Sequence, residues 1–299
     1  MGCAPAANVR NPKPGKKPAR KQKKQKPPGI EKPMRPQPDH GEKSYRGSGK
    51  LQGLAAIITG GDSGIGRAAA IAFAREGADV AIGYLSSKEE EDANEAVRWI
   101  EDAGRRAISQ RFNVQKPAEC KRFVDNVVKS FGRLDILVNN AGYQQEQDSI
   151  LNITPEQLDG TFRTNIFGFF YMVQAALPHM KEGAVILNTG SVTALRGNES
   201  LIDYSATKGA IHVFTKSLAQ SLADKGIRVN CVAPGPVWTP LIPATFKKMK
   251  DVAEHGEGTF WDRPAQPAEI APSYVFLASA DARYYSGEIL APTGSETTR

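Results

Sequence analysis

LAAIITGGDSGIGRAAAIAFAREG, residues 54–77, decides the fold. Its first seven residues are a continuous apolar run of strand length, as in a strand buried on both faces. A cluster of four glycines follows. Apolar residues then recur at helical spacing until Gly77 closes the helix. Strand, glycine turn and helix in direct succession form a phosphate-binding arrangement. Gly60, Gly64 and Gly66 let the backbone turn sharply and approach a ligand, and the helix start offers free N–H groups and a positive dipole end. Asp62, Ser63 and Ile65 complete the turn. Without a ligand the same glycines would be only a tight turn.

The alternation continues to the end of the chain. DVAIGYL, AISQRFNV, LDILVNNAG, GAVILNTGS, IRVNCVAPG and GEILAPT read as strands. The segments between them read as helices, several opened by proline or closed by glycine. The fold class that follows is α/β: one doubly wound domain over residues 51–299, with a parallel sheet of about seven strands and helices on both faces. No internal repeat interrupts it.

Before Leu51 the texture differs. Residues 1–50 hold 14 Lys+Arg against 3 Asp+Glu, a net of +11, whereas the remaining residues carry 25 against 29, a net of −4. The formal charge of +7 therefore belongs to the leader, and the folded part has no global attraction for phosphate backbones. Nucleic acid is not the expected partner. Residues 1–28 lack aromatic residues and any helical or strand period, so they are expected to be disordered. Such a tail is a solvated leader, a patch for polyanions or anionic membrane, or an organelle-targeting signal. Residues 29–50 are proline-rich but mixed, with Met34 and Tyr45 as anchors for an extended arm. Gly2 and Cys3 stand at the N-terminus, but Ala6 occupies the place where a myristoylation signal wants Ser or Thr. Three cysteines form no disulfide framework and fit a reducing compartment, and no apolar run reaches membrane-spanning length. These features point to the cytoplasm. The four histidines are scattered, so no metal is expected.

The motifs in order carry a resemblance. Thr59, Gly60, Gly64 and Gly66 have the spacing T-G-x-x-x-G-x-G; NNAG spans Asn139–Gly142; Asn165 sits in TFRTN, Ser191 in NTGSV, Tyr204 and Lys208 in YSATK; and APGPVWT supplies Pro234, Gly235, Val237 and Thr239. From Leu51 to Thr293 the chain resembles the short-chain dehydrogenase/reductase family, and its arm and TGGDSGIG turn resemble the subgroup labelled glucose/ribitol dehydrogenase-like or general stress oxidoreductases. The resemblance implies interconversion of an alcohol and a carbonyl with NADP or NAD. The substrate would be a sugar, a polyol or a small aldehyde or ketone. It implies a catalytic set of Asn165, Ser191, Tyr204 and Lys208, with Asn165 holding a water that links the lysine to solvent. Cofactor contacts would come from Gly60, Asp62, Ser63, Gly64, Ile65, Gly66, Tyr84, Asn113, Val114, Asn140, Ala141, Gly142, Tyr204, Lys208, Pro234, Gly235, Val237 and Thr239. It also implies a homotetramer.

The chemistry supports those roles. A free phenol has a pKa of ~10, so Tyr204 acting as a base near neutrality needs about 4 kcal/mol. One cation ~5 Å away at an effective dielectric of ~20 supplies roughly 3 kcal/mol, and Lys208 lies one helical turn on. Ser191, at a strand end, is placed to hold the substrate oxygen opposite Tyr204. Singly, each has a plain alternative: a surface Tyr–Lys pair, a capping serine, a buried asparagine bonded to backbone. The end of the second strand offers Tyr84 where an NAD-selective acid would stand. With no carboxylate there to repel a 2′-phosphate, the reading favours NADP, or use of both. Asn113 stands where an aspartate commonly meets the adenine amino group. Residues 237–266, with Leu241, Ile242, Phe246 and Trp261, read as a lid over the substrate or as packing against the sheet or a neighbouring subunit. The rival class is a catalytically idle nucleotide-binding scaffold whose basic tail binds polyanions or membrane.

Overall fold

The computed structural model describes residues 15–19 and 22–294. Seven parallel strands form one sheet: β1 (Ala55–Thr59), β2 (Asp79–Tyr84), β3 (Ala107–Arg111), β4 (Ile136–Asn139), β5 (Val185–Thr189), β6 (Arg228–Val232) and β7 (Ile289–Leu290). Their order is β3-β2-β1-β4-β5-β6-β7. The chain builds outward from β1 in one direction, then returns to β4 and builds the other way. That reversal leaves a crevice beyond the carboxyl ends of β1 and β4, where ligands of open α/β sheets bind.

The helices are α1 (Gly64–Arg75), α2 (Glu90–Asp102), α3 (Pro117–Phe131), α4 (Pro155–Phe162), α5 (Gly168–Ala176), α6 (Thr193–Arg196), α7 (Ile202–Leu222), α8 (Leu241–Thr245), α9 (Met249–Ala253) and α10 (Pro267–Ala278). The period of two along each strand divides the core. Ala56 and Ile58 face α1, α2 and α10, whereas Ala55 and Ile57 face α3, α5 and α7. The long helix expected over residues 155–180 is divided. Arg163–Phe167 forms a π-helical turn between α4 and α5, and Asn165 lies in it. π-turns of this kind are frequent at functional sites.

Part of the basic leader departs from the expectation of disorder over residues 1–28. Residues 1–14, 20 and 21 lie outside the described residues, as do Cys3 and the C-terminal 295–299. Residues 15–19 and 22–28, by contrast, run along the domain. Lys17 pairs with Asp262, and the Gln25 N–H donates to the Pro243 carbonyl at 3.0 Å. Lys and Pro carry little apolar surface, but an extended strand of backbone finds polar partners on the loops after β6, which a composition argument does not see. The arm docks as expected. Met34 is buried against Trp238, Ile242 and Val252. The Trp238 indole donates to the Pro36 carbonyl at 2.8 Å, and the Tyr45 hydroxyl donates to Glu76 at 2.6 Å. The apolar residues of 237–266 thus divide: Ile242 packs on the arm and also faces the crevice, while Trp261 remains 38% exposed.

Candidate active site

The crevice is a cleft of about 720 Å³. Its floor is the glycine turn. Gly60 and Gly64 have φ of +62° and +51°, a region costly for any side chain. A Cβ on Gly66 would stand 1.9 Å from the Gly60 carbonyl oxygen, so only hydrogen fits where turn and helix cross. The first intrahelical bond of α1 runs from the Arg67 N–H to the Ser63 carbonyl, which leaves the N–H groups of Gly64, Ile65 and Gly66 without helical partners. Asn140 ties the turn to β4: its side-chain amide donates to the carbonyls of Thr59 and Gly60, both at 3.1 Å. Positive-φ glycines, close backbone approach and free first-turn amides fit a dinucleotide pyrophosphate.

One of those amides is already engaged from outside the domain. The Gly64 N–H donates to the Glu31 carboxylate of the arm at 2.9 Å. Glu31 also meets the Arg67 guanidinium at 2.9 Å and His40 at 2.7 Å, and His40 meets Glu42 at 2.9 Å. Burial opposes the His40 charge, but the carboxylates of Glu31 and Glu42 outweigh it and push the imidazole up to about 9. Ile65, which lines the cleft, keeps its first-turn N–H for a ligand. Pro27, Pro28 and Gly29 of the leader and arm line the cleft.

The reacting groups come from β5 and α7. A buried chain fixes their relation: Asn139 donates to Asn188, Asn188 to Thr215 on α7, each at 3.0 Å, and the Thr215 hydroxyl to the Ile211 carbonyl at 2.8 Å. Lys208 stacks beneath Tyr204, with its ammonium 5.3 Å from the phenol ring centroid, and donates to the Thr189 carbonyl at 2.7 Å. Ser191 Oγ accepts from both the N–H and the hydroxyl of Thr193, each at 3.1 Å. With both lone pairs engaged, its own proton is left to donate toward Tyr204 or a substrate oxygen.

In the free protein burial dominates the electrostatics of Tyr204 and Lys208. Burial pushes the phenol up to about 12, with a hydrogen bond from Ser191 opposing, and burial pushes the Lys208 ammonium down to about 8. Desolvation penalises the charged form of each group, the phenolate of Tyr204 and the ammonium of Lys208. Tyr204 is therefore held protonated, and Lys208 still carries most of its charge at neutral pH.

Of the cofactor and catalytic residues expected from sequence, all but Gly66 and Asn165 line the cleft. Gly66 stands behind the turn. Asn165 stands behind Lys208: its amide exchanges two 2.8 Å hydrogen bonds with the Tyr143 backbone and donates to Thr207 at 3.0 Å. Its side chain is thus a brace for the segment after β4. Asn113 lines the cleft, but its side-chain oxygen accepts from the Gln115 N–H at 2.9 Å, so a turn already uses the oxygen expected to meet adenine. The adenosine end is not free of carboxylates either. Asp62 and Glu89 line the cleft as well as Tyr84 and Leu85, two acids that the reading from Tyr84 alone did not include. Sequence reasoning also missed Thr193, Glu31 and the wall formed by residues 27–29. Thr193, two residues past Ser191, was legible as a neighbouring hydroxyl; the arm contacts had no local signal. Among the described residues, no group of three or more His, Cys, Asp or Glu is placed to hold a metal ion. Nor is any described helix long and apolar enough to cross a membrane.

Comparisons with known proteins agree with this geometry. A family model described as Enoyl-(Acyl carrier protein) reductase matches residues 60–294. The chain is 57% identical over 267 residues to the uncharacterized oxidoreductase YhdF of Bacillus subtilis (strain 168), covering 89% of this chain and 91% of that protein. It is 48% identical over 279 residues to the chloroplastic NADPH-dependent aldehyde reductase 1 of Arabidopsis thaliana, covering 92% and 96%. It is 47% identical over 277 residues to the glucose and ribitol dehydrogenase of Daucus carota, covering 91% and 95%. Among solved structures, a short chain dehydrogenase from Burkholderia cenocepacia J2315 in complex with NADP matches with a TM-score of 0.76 and 36% identity, over 82% of this chain and 98% of that one. The chain belongs to the short-chain dehydrogenase/reductase family of oxidoreductases.

Proposed function

We propose that this protein reduces the carbonyl group of a sugar-derived or small aldehyde or ketone substrate to an alcohol, using NADPH or NADH, with Tyr204 as the acid. The observation that carries the reading is the convergence of Ser191, Tyr204 and Lys208 on one cleft whose floor is a pyrophosphate-type glycine turn. When bound, the nicotinamide cofactor supplies the hydride to the carbonyl carbon. Ser191 donates a hydrogen bond to the carbonyl oxygen and holds it toward Tyr204. Tyr204, protonated in the free protein, gives its proton to that oxygen as negative charge develops there. Lys208, charged beside the phenol, lowers the cost of the phenolate left behind and would hold the ribose hydroxyls of a bound cofactor. Asn165 and Thr207 keep the segment after β4 in register with α7. The reverse oxidation uses the same groups with Tyr204 as base and is favoured at higher pH.

The NADPH-dependent aldehyde reductase and the NADP-bound short chain dehydrogenase among the relatives support NADP as the favoured cofactor, and the carrot dehydrogenase supports a sugar or polyol as the other half of the couple. The assembled catalytic set speaks against an idle scaffold, which has no need of a buried lysine beneath a tyrosine. The apolar surface of Phe167 beside α5, Phe170 on α5 and Val213 on α7, left open, supports a homo-oligomer joined through these helices. Sedimentation of the purified protein tests that assembly.

Purified protein screened with NADPH, NADH and their oxidised forms against aldehydes, ketones, sugars and polyols tests the reaction. Tyr204→Phe is expected to abolish turnover and to retain cofactor binding. Equal turnover in the two proteins refutes the acid assignment.

A further inference from the structure

Tyr274 on α10 carries a hydroxyl that its packing does not require. The residue is fully buried, and its ring lies in the apolar cluster that Ala68, Ala72 and Phe73 of α1 share with the sheet. A phenylalanine would fill that space with no polar atom to satisfy, so the hydroxyl is costly unless it has a partner. Its partner is the Thr189 hydroxyl at the end of β5, 2.7 Å away.

Thr189 is a junction. Its carbonyl accepts from the Lys208 ammonium at 2.7 Å, and its hydroxyl donates to Asn140 Oδ1 at 3.3 Å. Asn140 holds the glycine turn through the carbonyls of Thr59 and Gly60. The backbone N–H groups of Asn140 and Ala141 add bonds to the Thr59 hydroxyl at 2.9 and 3.0 Å. The Asn140 amide nitrogen spends both its protons on the turn, so its oxygen faces Thr189 and takes a donor there. A hydroxyl has one proton: Thr189 gives its own to Asn140, and Tyr274 gives its own to Thr189. Each proton along the chain from α10 to the turn then has one place.

We propose that Tyr274 is a positioning residue whose hydroxyl, acting through Thr189 and Asn140, holds the glycine turn ready for a dinucleotide. The inference rests on the dinucleotide reading of the cleft. Thr189 and Asn140 line the cleft, and Tyr274 stands behind them. Its effect therefore belongs to the free protein. Without the phenolic donor the Thr189 proton is free to turn away from Asn140, and the amide is no longer fixed in one orientation. The turn then samples arrangements that binding must exclude, and affinity falls with the fraction of molecules that have it in place. Lys208 is held by the Thr189 carbonyl, which loss of a side-chain partner leaves where it is, so turnover at saturating cofactor is kept.

Calorimetric titration of the full-length protein with NADPH, together with hydrogen exchange of residues 59–66 in the free protein, tests the proposal. Tyr274→Phe keeps the ring and removes only the donor. It should weaken NADPH binding about threefold to tenfold, the range of one hydrogen bond, and speed exchange in the turn, with kcat at saturating cofactor within about twofold of wild type. Thr189→Val removes the relay and should lose at least as much affinity, whereas Thr189→Ser keeps the hydroxyl and should bind as wild type does. The double variant Tyr274→Phe/Thr189→Val should lose no more than Thr189→Val alone, because the phenol acts through that hydroxyl. Unchanged affinity in Tyr274→Phe, or losses that add in the double variant, overturns the proposal. A lowered unfolding midpoint with binding and turn exchange unchanged assigns the hydroxyl to stability alone and overturns it as well. Should Tyr274→Phe not fold, the valine and serine variants decide, and equal affinity in those two is the refuting result. Failure of the wild-type protein to bind either NADPH or NADH overturns the dinucleotide reading, and this proposal with it.

Discussion

The imidazolium at His40 makes the docking of the arm sensitive to alkali. His40 is 2% exposed and lies between two carboxylates, at 2.7 Å from Glu31 and 2.9 Å from Glu42. Its pKa is pushed from 6.5 to about 9. Glu42 is correspondingly held down at about 2 despite its burial, through the same contacts, so the interaction is counted once. A group whose folded pKa is raised contributes stability fully below the unfolded value and loses it as pH climbs through the folded one. The contribution here is about 3 kcal/mol, present below about pH 6.5 and lost progressively up to and beyond about pH 9. Hydrogen exchange of residues 30–45, followed by mass spectrometry at a series of pH values after correction for intrinsic rates, measures it. Protection of the arm should collapse between those limits, before β1 or α1 opens. His40→Gln should show weak protection throughout and no comparable transition. A His40 imidazole resonance that titrates near 6.5 in the folded protein, or arm protection that does not respond to pH, would refute the reasoning.

Further outcomes are expected. Gly66→Ala forces a methyl group to 1.9 Å from the Gly60 carbonyl and should lower the thermal midpoint by an amount equivalent to about 1–3 kcal/mol while abolishing nucleotide binding, checked by calorimetry. Thr193→Val removes the hydroxyl donor to Ser191 but keeps the backbone N–H, so kcat should fall severalfold with KM and the unfolding midpoint little changed; an unaltered kcat shows that Ser191 needs no second donor. Lys208→Met should weaken cofactor binding as well as turnover, and an unchanged cofactor Kd would remove its ribose role. Glu31→Gln keeps an acceptor for Gly64 but loses the charge that holds His40 and Arg67, so the arm should become protease-sensitive at neutral pH; resistance equal to wild type would place the anchorage in Met34 and Trp238 instead.

The fold was legible because its determinants are local and periodic. Ala55–Thr59 and Val185–Thr189 are apolar runs buried on both faces, and Pro117, Gly104 and Gly132 mark helix ends where the structure has them. The reacting groups were legible because Tyr204 and Lys208 share one helix face and Ser191 ends a strand. What escaped depends on distance in sequence or on desolvation. Glu31 reaches Gly64 across 33 residues, and nothing near either one announces the other. The phenol was expected to be acidified by its lysine. Spacing gave the separation correctly, but it carries no information about burial, which pushes the phenol up and the ammonium down. Tyr84 was read correctly as a strand end without a carboxylate, yet Asp62 and Glu89 arrive at the same corner from two different turns.

The arm alters what counts as the minimal enzyme. Strand and helix alternation begins at Leu51, and a chain trimmed to that point would keep the sheet and the reacting trio. It would lose the acceptor on the Gly64 amide, the side of the cleft built by Pro27–Gly29, and the cover over Trp238. Such a trimmed chain should be a folded but leaky oxidoreductase, whose cofactor leaves faster than it does from the intact chain. The segment before the domain is the clasp that the rest of the molecule closes against.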